Sequence, residues 1–245
     1  MRTILVVLFV FFYLLFGMVY TFFEWLWVKI KPSGKYRSDL RQLRNVQWAF
    51  RVVLFLSGTK AHIQGEDNIP TEEPVLYIGN HRSFYDVILT YTRCPGLTGY
   101  ISKDSIERVP MLRVFMRRLH CLFIDRDDMK QSLKVILAAI EEVKSGVSIC
   151  IFPEGTRNKD KDHPDSLLPF KEGSFKIAQK TGCKIVPFAV KGTNTVFEDH
   201  LPWIHKQKVE LIYGEPFTVK DIPEEYKKTP GAYAEMQVQK LLSQI

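Results

Sequence analysis

Three observations predict an α/β fold, a largely parallel or mixed sheet flanked by helices, behind an N-terminal membrane-associated helical segment. The chain opens on an uncharged apolar stretch from Thr3 to Phe23. From about residue 60 onward, short apolar runs alternate with helical patterns. Polar motifs begin where three of those runs end. With 245 residues, 46% of them hydrophobic, the chain suits one globular domain and an appendage.

The first element, "TILVVLFVFFYLLFGMVYTFF", covers about the thickness of a bilayer core at ~1.5 Å per helical residue. A buried helix of a soluble core is the alternative. A cleaved signal peptide fits poorly, because its apolar region normally runs ~7 to 15 residues and no small-x-small site precedes Glu24. The segment is therefore expected to stay attached. After a turn at Lys31-Pro32-Ser33-Gly34, Tyr36, Leu40, Leu43, Val46, Phe50 and Leu54 recur at steps of three and four. Arg37, Arg41, Arg44 and Arg51 gather on another side. Beside so apolar a neighbour, this reads as a basic amphipathic helix at a membrane interface, its stripe toward lipid. A helix packed on protein is the other reading. Residues 1–57 form the expected anchor and residues 58–245 the α/β domain.

Strand-like runs follow at "PVLYI" (74–78), "LTGYIS" (97–102), "CLFI" (121–124), "VSICIF" (147–152), "KIVPFAV" (184–190) and "KVELIY" (208–213). Helical stretches are expected over Asp86 to Arg93, Pro110 to Leu119, Asp128 to Lys144 and Gly173 to Lys180. Short apolar strands separated by helices imply a substantially parallel sheet, which binds ligands at the carboxyl ends of its strands. The motifs "NHRSFYD", "DRDD" and "PEGTR" each start at such an end. Cys94, Cys121, Cys150 and Cys183 show no C-x-x-C pairing and read as free thiols in a reducing compartment.

His81 and Asp86 are five residues apart, which in one helix would leave them about 140° apart around the axis and out of touch. With Ser83 as N-cap, Asp86 enters the first turn of a helix and His81 stays on the preceding loop, free to fold back onto the carboxylate. A polarised base would result. Past two other strands lie Arg126 and the group Glu154, Gly155, Thr156 and Arg157. A guanidinium grips phosphate oxygens in bidentate fashion, and glycine admits a ligand close to the backbone. Taken singly, either arginine fits a structural salt bridge. Together they suggest chemistry on a phosphate-bearing alcohol.

These residues resemble the glycerolipid acyltransferases of the 1-acylglycerol-3-phosphate acyltransferase type. "NHRSFYD" is similar to that family's N-H-x-x-x-x-D block, "LFIDR" to its second, "FPEGTR" to its third and "IVPFAV" to its fourth, and the likeness runs from about 74 to 192. The resemblance implies that His81 is the general base and Asp86 the carboxylate that orients it. It implies an acceptor site for glycerol phosphate at Arg126, Glu154, Gly155 and Arg157, to which Lys103 is added as a further phosphate contact. Pro187 is expected to have a structural or acyl-site role. His120 departs from the small residue many relatives carry and is read as a packed surface histidine.

The implied reaction moves a fatty acyl group from an acyl thioester to the sn-2 hydroxyl of 1-acylglycerol-3-phosphate, making phosphatidate. A neutral histidine suits removal of the hydroxyl proton at neutral pH, and the nucleophile is the substrate's own oxygen. In keeping with this, no G-x-S-x-G elbow marks a serine nucleophile. No cofactor and no metal is expected, since the other histidines lack zinc-like spacing. Expected partners are a membrane lipid acceptor, an acyl-carrier protein or acyl-CoA as co-substrate, and an anionic membrane surface. The net charge of +7 suits all of these. It also suits nucleic acid, but no recognition module accompanies it. Glycerol-3-phosphate or another lysophospholipid as acceptor, or a non-catalytic membrane scaffold, remain as alternatives. Lys29, Lys31, Lys35 and Arg37 would set the catalytic domain on the cytoplasmic face, expected to be that of a bacterial inner membrane. A spanning helix leads; a hairpin held in one leaflet is the alternative.

Overall fold

The computed structural model describes residues 1–245. Helices α1 (Arg2–Ile30) and α2 (Lys35–Ser57) form a hairpin closed by a short turn at Pro32–Gly34. The α/β body follows as β1 (Lys60–Gln64), β2 (Leu76–Gly79), α3 (Phe84–Tyr91), β3 (Thr98–Lys103), α4 (Asp104–Glu107), α5 (Pro110–Arg118), β4 (Leu122–Ile124), α6 (Met129–Lys144) and β5 (Ser148–Ile151). It closes with α7 (Lys176–Thr181), β6 (Ile185–Lys191), β7 (Lys208–Tyr213) and α8 (Pro230–Leu242).

The seven strands form one sheet in the order β1-β7-β6-β2-β5-β3-β4. Strands β6, β2, β5, β3 and β4 are mutually parallel, whereas β7 runs antiparallel to β6 and carries β1 parallel to itself. The sheet is therefore mixed. Alternation of side chains across the pleat sends Tyr77, Cys150 and Phe188 to one face and Leu76, Ile78, Ile149 and Ile151 to the other. The first face packs against α2, α3 and α5, and the second against α6, α7 and α8. All four cysteines are free thiols.

The α2 stripe differs from its expected place in lipid. Leu43, Val46 and Val53 are buried in the same apolar cluster as Tyr85, Leu89 and Tyr91, so the stripe packs on protein. The reason is that α2 lies between α1 and α3 and closes the first face of the sheet. Polar ties reinforce it: Gln47 donates to the Tyr91 and Cys94 carbonyls at 3.0 and 2.8 Å. His120 is no mere surface residue either. It sits between Asp39 of α2, at 3.4 Å, and Glu142 of α6, at 2.9 Å. Asp39 first and Glu142 next push its pKa up to about 9, so it is a charged rivet at neutral pH.

Helix α1 meets the domain at its start and beyond its middle. Thr3 Oγ1 accepts a hydrogen bond from the Ile204 N–H at 2.8 Å, and Gly17 lies against the Phe115 ring, where any Cβ would collide. Arg118 reaches the Thr21 carbonyl at 3.5 Å. Its other face exposes Ile4, Phe11, Phe12, Phe16, Phe22 and Phe23. By length and composition α1 is the single helix apolar enough to cross a membrane.

Candidate active site

The loop between β2 and α3 carries the histidine. Ser83 is the N-cap of α3: its Oγ accepts from Tyr85 N at 2.9 Å, and Asp86 closes a reciprocal capping box. Asp86 Oδ2 accepts from the backbone N–H of Arg82 and Ser83 at 2.7 and 2.8 Å. It also lies 2.9 Å from His81 Nδ1. Since a carboxylate holding two N–H groups is an acceptor, Nδ1 must carry the proton, leaving the Nε2 lone pair free. The imidazole stacks on Phe152 with ring centroids 4.1 Å apart. Its side chain keeps 16% exposure, whereas that of Asp86 has 1%.

Glu154, at the end of β5, is turned inward. Its Oε1 accepts from His81 N at 2.6 Å and its Oε2 from Leu168 N at 2.9 Å. With Asn158 N donating to the His81 carbonyl at 2.7 Å, the histidine backbone is held from both sides. Burial raises the Glu154 pKa to about 7, against the opposing pull of the two backbone N–H donors. Its folded-state pKa lies above the unfolded one, so its contribution to stability is fully present below about pH 4.5 and is lost as pH rises to about 7. Glu154→Gln should remove that slope, so that unfolding midpoints from pH 4.5 to 7.5 run flatter than those of the parent chain. An unchanged slope would mean that Glu154 ionises normally. The variant should also be less stable throughout, because its amide nitrogen must face a backbone N–H donor.

Gly155 takes φ +75°, open to glycine at no steric cost, and the Lys171 ammonium lies where a Cβ would come within 2.8 Å. Arg157 stands at the rim, its guanidinium 4.4 Å above the Phe84 ring and 3.0 Å from Glu198 Oε1. Lys103, at the end of β3, and Arg126, just past β4, are exposed. They share the carboxyl edge with His81, but two and three strands from β2 respectively, or about 10 and 14 Å at ordinary strand spacing. His81, Asp86, Glu154 and Arg157 thus form one cluster, and Lys103 and Arg126 lie farther along the edge. Pro187 is buried in β6 opposite Ile78, with its carbonyl accepting from Gly214 N at 2.8 Å, a structural setting.

A family model described as acyltransferase matches residues 60–191, more than half of the chain. The chain belongs to the acyltransferase family. Among its curated relatives is a 1-acyl-sn-glycerol-3-phosphate acyltransferase of Borreliella burgdorferi, 35% identical over 149 residues that cover 60% of this chain and 57% of the relative. Another carries the same name in Brassica napus, with a chloroplastic form 37% identical over 138 residues, 56% of this chain and 39% of the relative. The matches thus span only about two fifths to three fifths of those relatives' lengths. The fold is similar to the crystal structure of a 1-acyl-sn-glycerophosphate acyltransferase from Thermotoga maritima, with a TM-score of 0.79, 22% identity, and coverage of 100% of this chain and 97% of that one.

Two residues outside the matched segment complete the cluster. Thr193 donates its hydroxyl to Asp86 Oδ1, and Glu198 accepts from Ser83 Oγ at 2.6 Å and from Phe84 N at 2.7 Å. Both belong to the loop after β6, which is parallel to β2 and ends on the same edge. The strand-end rule that singled out the other motifs points to this loop as well, and would have found Thr193. Nothing in the sequence marks Glu198.

Proposed function

We propose that the chain transfers a fatty acyl group from an acyl thioester to the sn-2 hydroxyl of 1-acylglycerol-3-phosphate, yielding phosphatidate. The observation that carries this is the His81–Asp86 pair, with Nε2 unoccupied and an arginine at the rim of the same strand edge. The relatives' names supply the acceptor class. His81 Nε2 takes the hydroxyl proton as the oxygen attacks the thioester carbonyl, Asp86 stabilises the imidazolium, and the thiolate leaves with that proton as the carbonyl reforms. Arg157 binds the acceptor's phosphate, and Lys103 and Arg126 add positive charge farther along the same edge. The donor is an acyl-carrier protein or acyl-CoA thioester, and no metal or cofactor takes part.

In the same reading the α1 hairpin lies in one membrane leaflet instead of crossing it. Crossing would pull Thr3 from Ile204 and Thr21 from Arg118, whereas an in-plane helix keeps both contacts and gives its phenylalanine face to lipid. The catalytic domain then sits at the surface that holds its acceptor, on the cytoplasmic side.

Purified protein given lysophosphatidate, glycerol-3-phosphate and other lysophospholipids, each with acyl-CoA and acyl-carrier-protein donors, tests the activity by product analysis. Phosphatidate from lysophosphatidate is expected with at least one donor. Failure of every pair would leave a scaffold. Arg157→Ala should raise the acceptor KM by roughly tenfold to a hundredfold with donor KM unchanged, since a charged hydrogen bond to phosphate is lost. Lower yield of folded protein with normal kinetics would make Arg157 a structural partner.

A further inference from the structure

Glu198 comes from a short turn, Glu198–His200, that the loop after β6 lays across the site. Val196, fully buried two residues earlier, anchors that loop. One carboxylate collects three donors from two other segments: Ser83 Oγ at 2.6 Å and Phe84 N at 2.7 Å at the start of α3, and Arg157 Nη1 at 3.0 Å. Its side chain keeps only 15% exposure. The Arg157 guanidinium is fixed from a second direction by the Phe84 ring, 4.4 Å away. A long arginine side chain, free to sample many rotamers in water, is thereby held in one place before any ligand arrives.

Such a carboxylate can act in two opposite ways. It can compete with an incoming phosphate for the guanidinium, or it can orient the guanidinium for that phosphate. Two features decide. Glu198 is held by Ser83 and Phe84 as well as by Arg157, so a ligand that pushed it aside would leave a backbone N–H at the start of α3 without its partner. Arg157, in turn, uses only Nη1 on Glu198, so that Nε and Nη2 remain as donors for a phosphate. The two groups are compatible with a ligand between them, and displacement is the costlier course.

We propose that Glu198 is a positioning residue for acceptor recognition, holding Arg157 over Phe84 so that its remaining donors meet the acceptor's phosphate; this rests on the reading that Arg157 is a phosphate ligand. Glu198 also joins the histidine loop to the phosphate end of the site. One side chain thereby links the loop that carries His81 to the arginine at the phosphate end.

Glu198→Gln tests this, because a glutamine still accepts from Phe84 N and can donate to Ser83 Oγ while losing the charge that holds Arg157. With lysophosphatidate, acceptor KM should rise about fivefold while kcat stays within about twofold and donor KM is unchanged. With monoacylglycerol, which has no phosphate to meet Arg157, the rise in acceptor KM should be smaller than with lysophosphatidate. In an Arg157→Ala background, adding Glu198→Gln should cost nothing more. Phe84→Leu, at a half-exposed ring whose loss leaves the cap intact, should raise acceptor KM in the same direction and serves if Glu198→Gln melts early. A lower acceptor KM in Glu198→Gln would show competition and overturn the proposal. So would a loss confined to kcat, or one that persists in the Arg157→Ala background, since either would place the effect at the histidine loop. If Arg157→Ala itself leaves acceptor KM unchanged, it is the phosphate reading that fails.

Discussion

His81→Ala should lower turnover about 1000-fold while leaving a folded protein, because removal of a general base commonly costs between 10²- and 10⁴-fold. The fold survives for a structural reason. The contacts that fix the loop are backbone ones, His81 N to Glu154 and Asn158 N to the His81 carbonyl, and alanine keeps both. Asp86 keeps its two backbone donors and Thr193. What is lost is the imidazole's stack on Phe152 and one hydrogen bond to a carboxylate, worth roughly 1.5 to 3 kcal/mol. Melting temperature and kcat, measured on the same preparation, should therefore separate: the first lowered by several degrees, the second collapsed. Near-parental turnover in folded His81→Ala protein would end the proposed mechanism.

Asp86→Asn should be milder, and the geometry says why. To keep the donors from Arg82 and Ser83, the asparagine must present its carbonyl oxygen where Oδ2 now stands, turning its amide toward Thr193, whose hydroxyl can accept. His81 then still donates from Nδ1, and the tautomer is preserved. Only the charge that stabilises the imidazolium is gone.

The arrangement at the histidine was legible because it is local. Helix geometry, a serine at the N-cap and a carboxylate three residues on determine where Asp86 stands relative to His81 within seven consecutive residues. The inward turn of Glu154 was not legible, since it depends on N–H groups supplied by His81, 73 residues away, and by Leu168, 14 away across an irregular loop. Glu198 went unseen for the same reason: Ser83 and Phe84 are more than a hundred residues away and Arg157 is 41 away. Most of the parallel strands announced themselves as unbroken apolar runs. β1, "KAHIQ", did not, because it is an edge strand with one apolar residue turned inward. The C-terminal α8 carries Ala234, Val238 and Leu241 at helical spacing, a readable signal in a stretch that the motifs did not reach.

The α2 stripe shows where periodicity runs out, and it yields the second large effect. A helical repeat identifies an apolar face but not what covers it; lipid and protein select the same pattern. Here protein covers it, with Leu43 at 0% exposure. Leu43→Ala should therefore destabilise the domain by about 2 to 4 kcal/mol, read as a lowered denaturant midpoint in detergent at unchanged slope. Were the stripe in lipid, that midpoint would hardly move. Phe12 and Phe16 of α1 provide the converse, being 49% and 66% exposed and packed on each other on the open face. Phe12→Ser with Phe16→Ser should leave the denaturant midpoint in place, yet weaken partition into anionic vesicles roughly a hundredfold, the equivalent of about 3 kcal/mol of apolar burial. Unchanged partition would remove α1's open face from the membrane contact. The same logic predicts that deleting residues 1–57 does not release a well-behaved soluble domain: it strips Leu43, Val46 and Val53 from the core, and the uncovered face of the sheet, with Tyr85, Leu89 and Tyr91 on it, should aggregate.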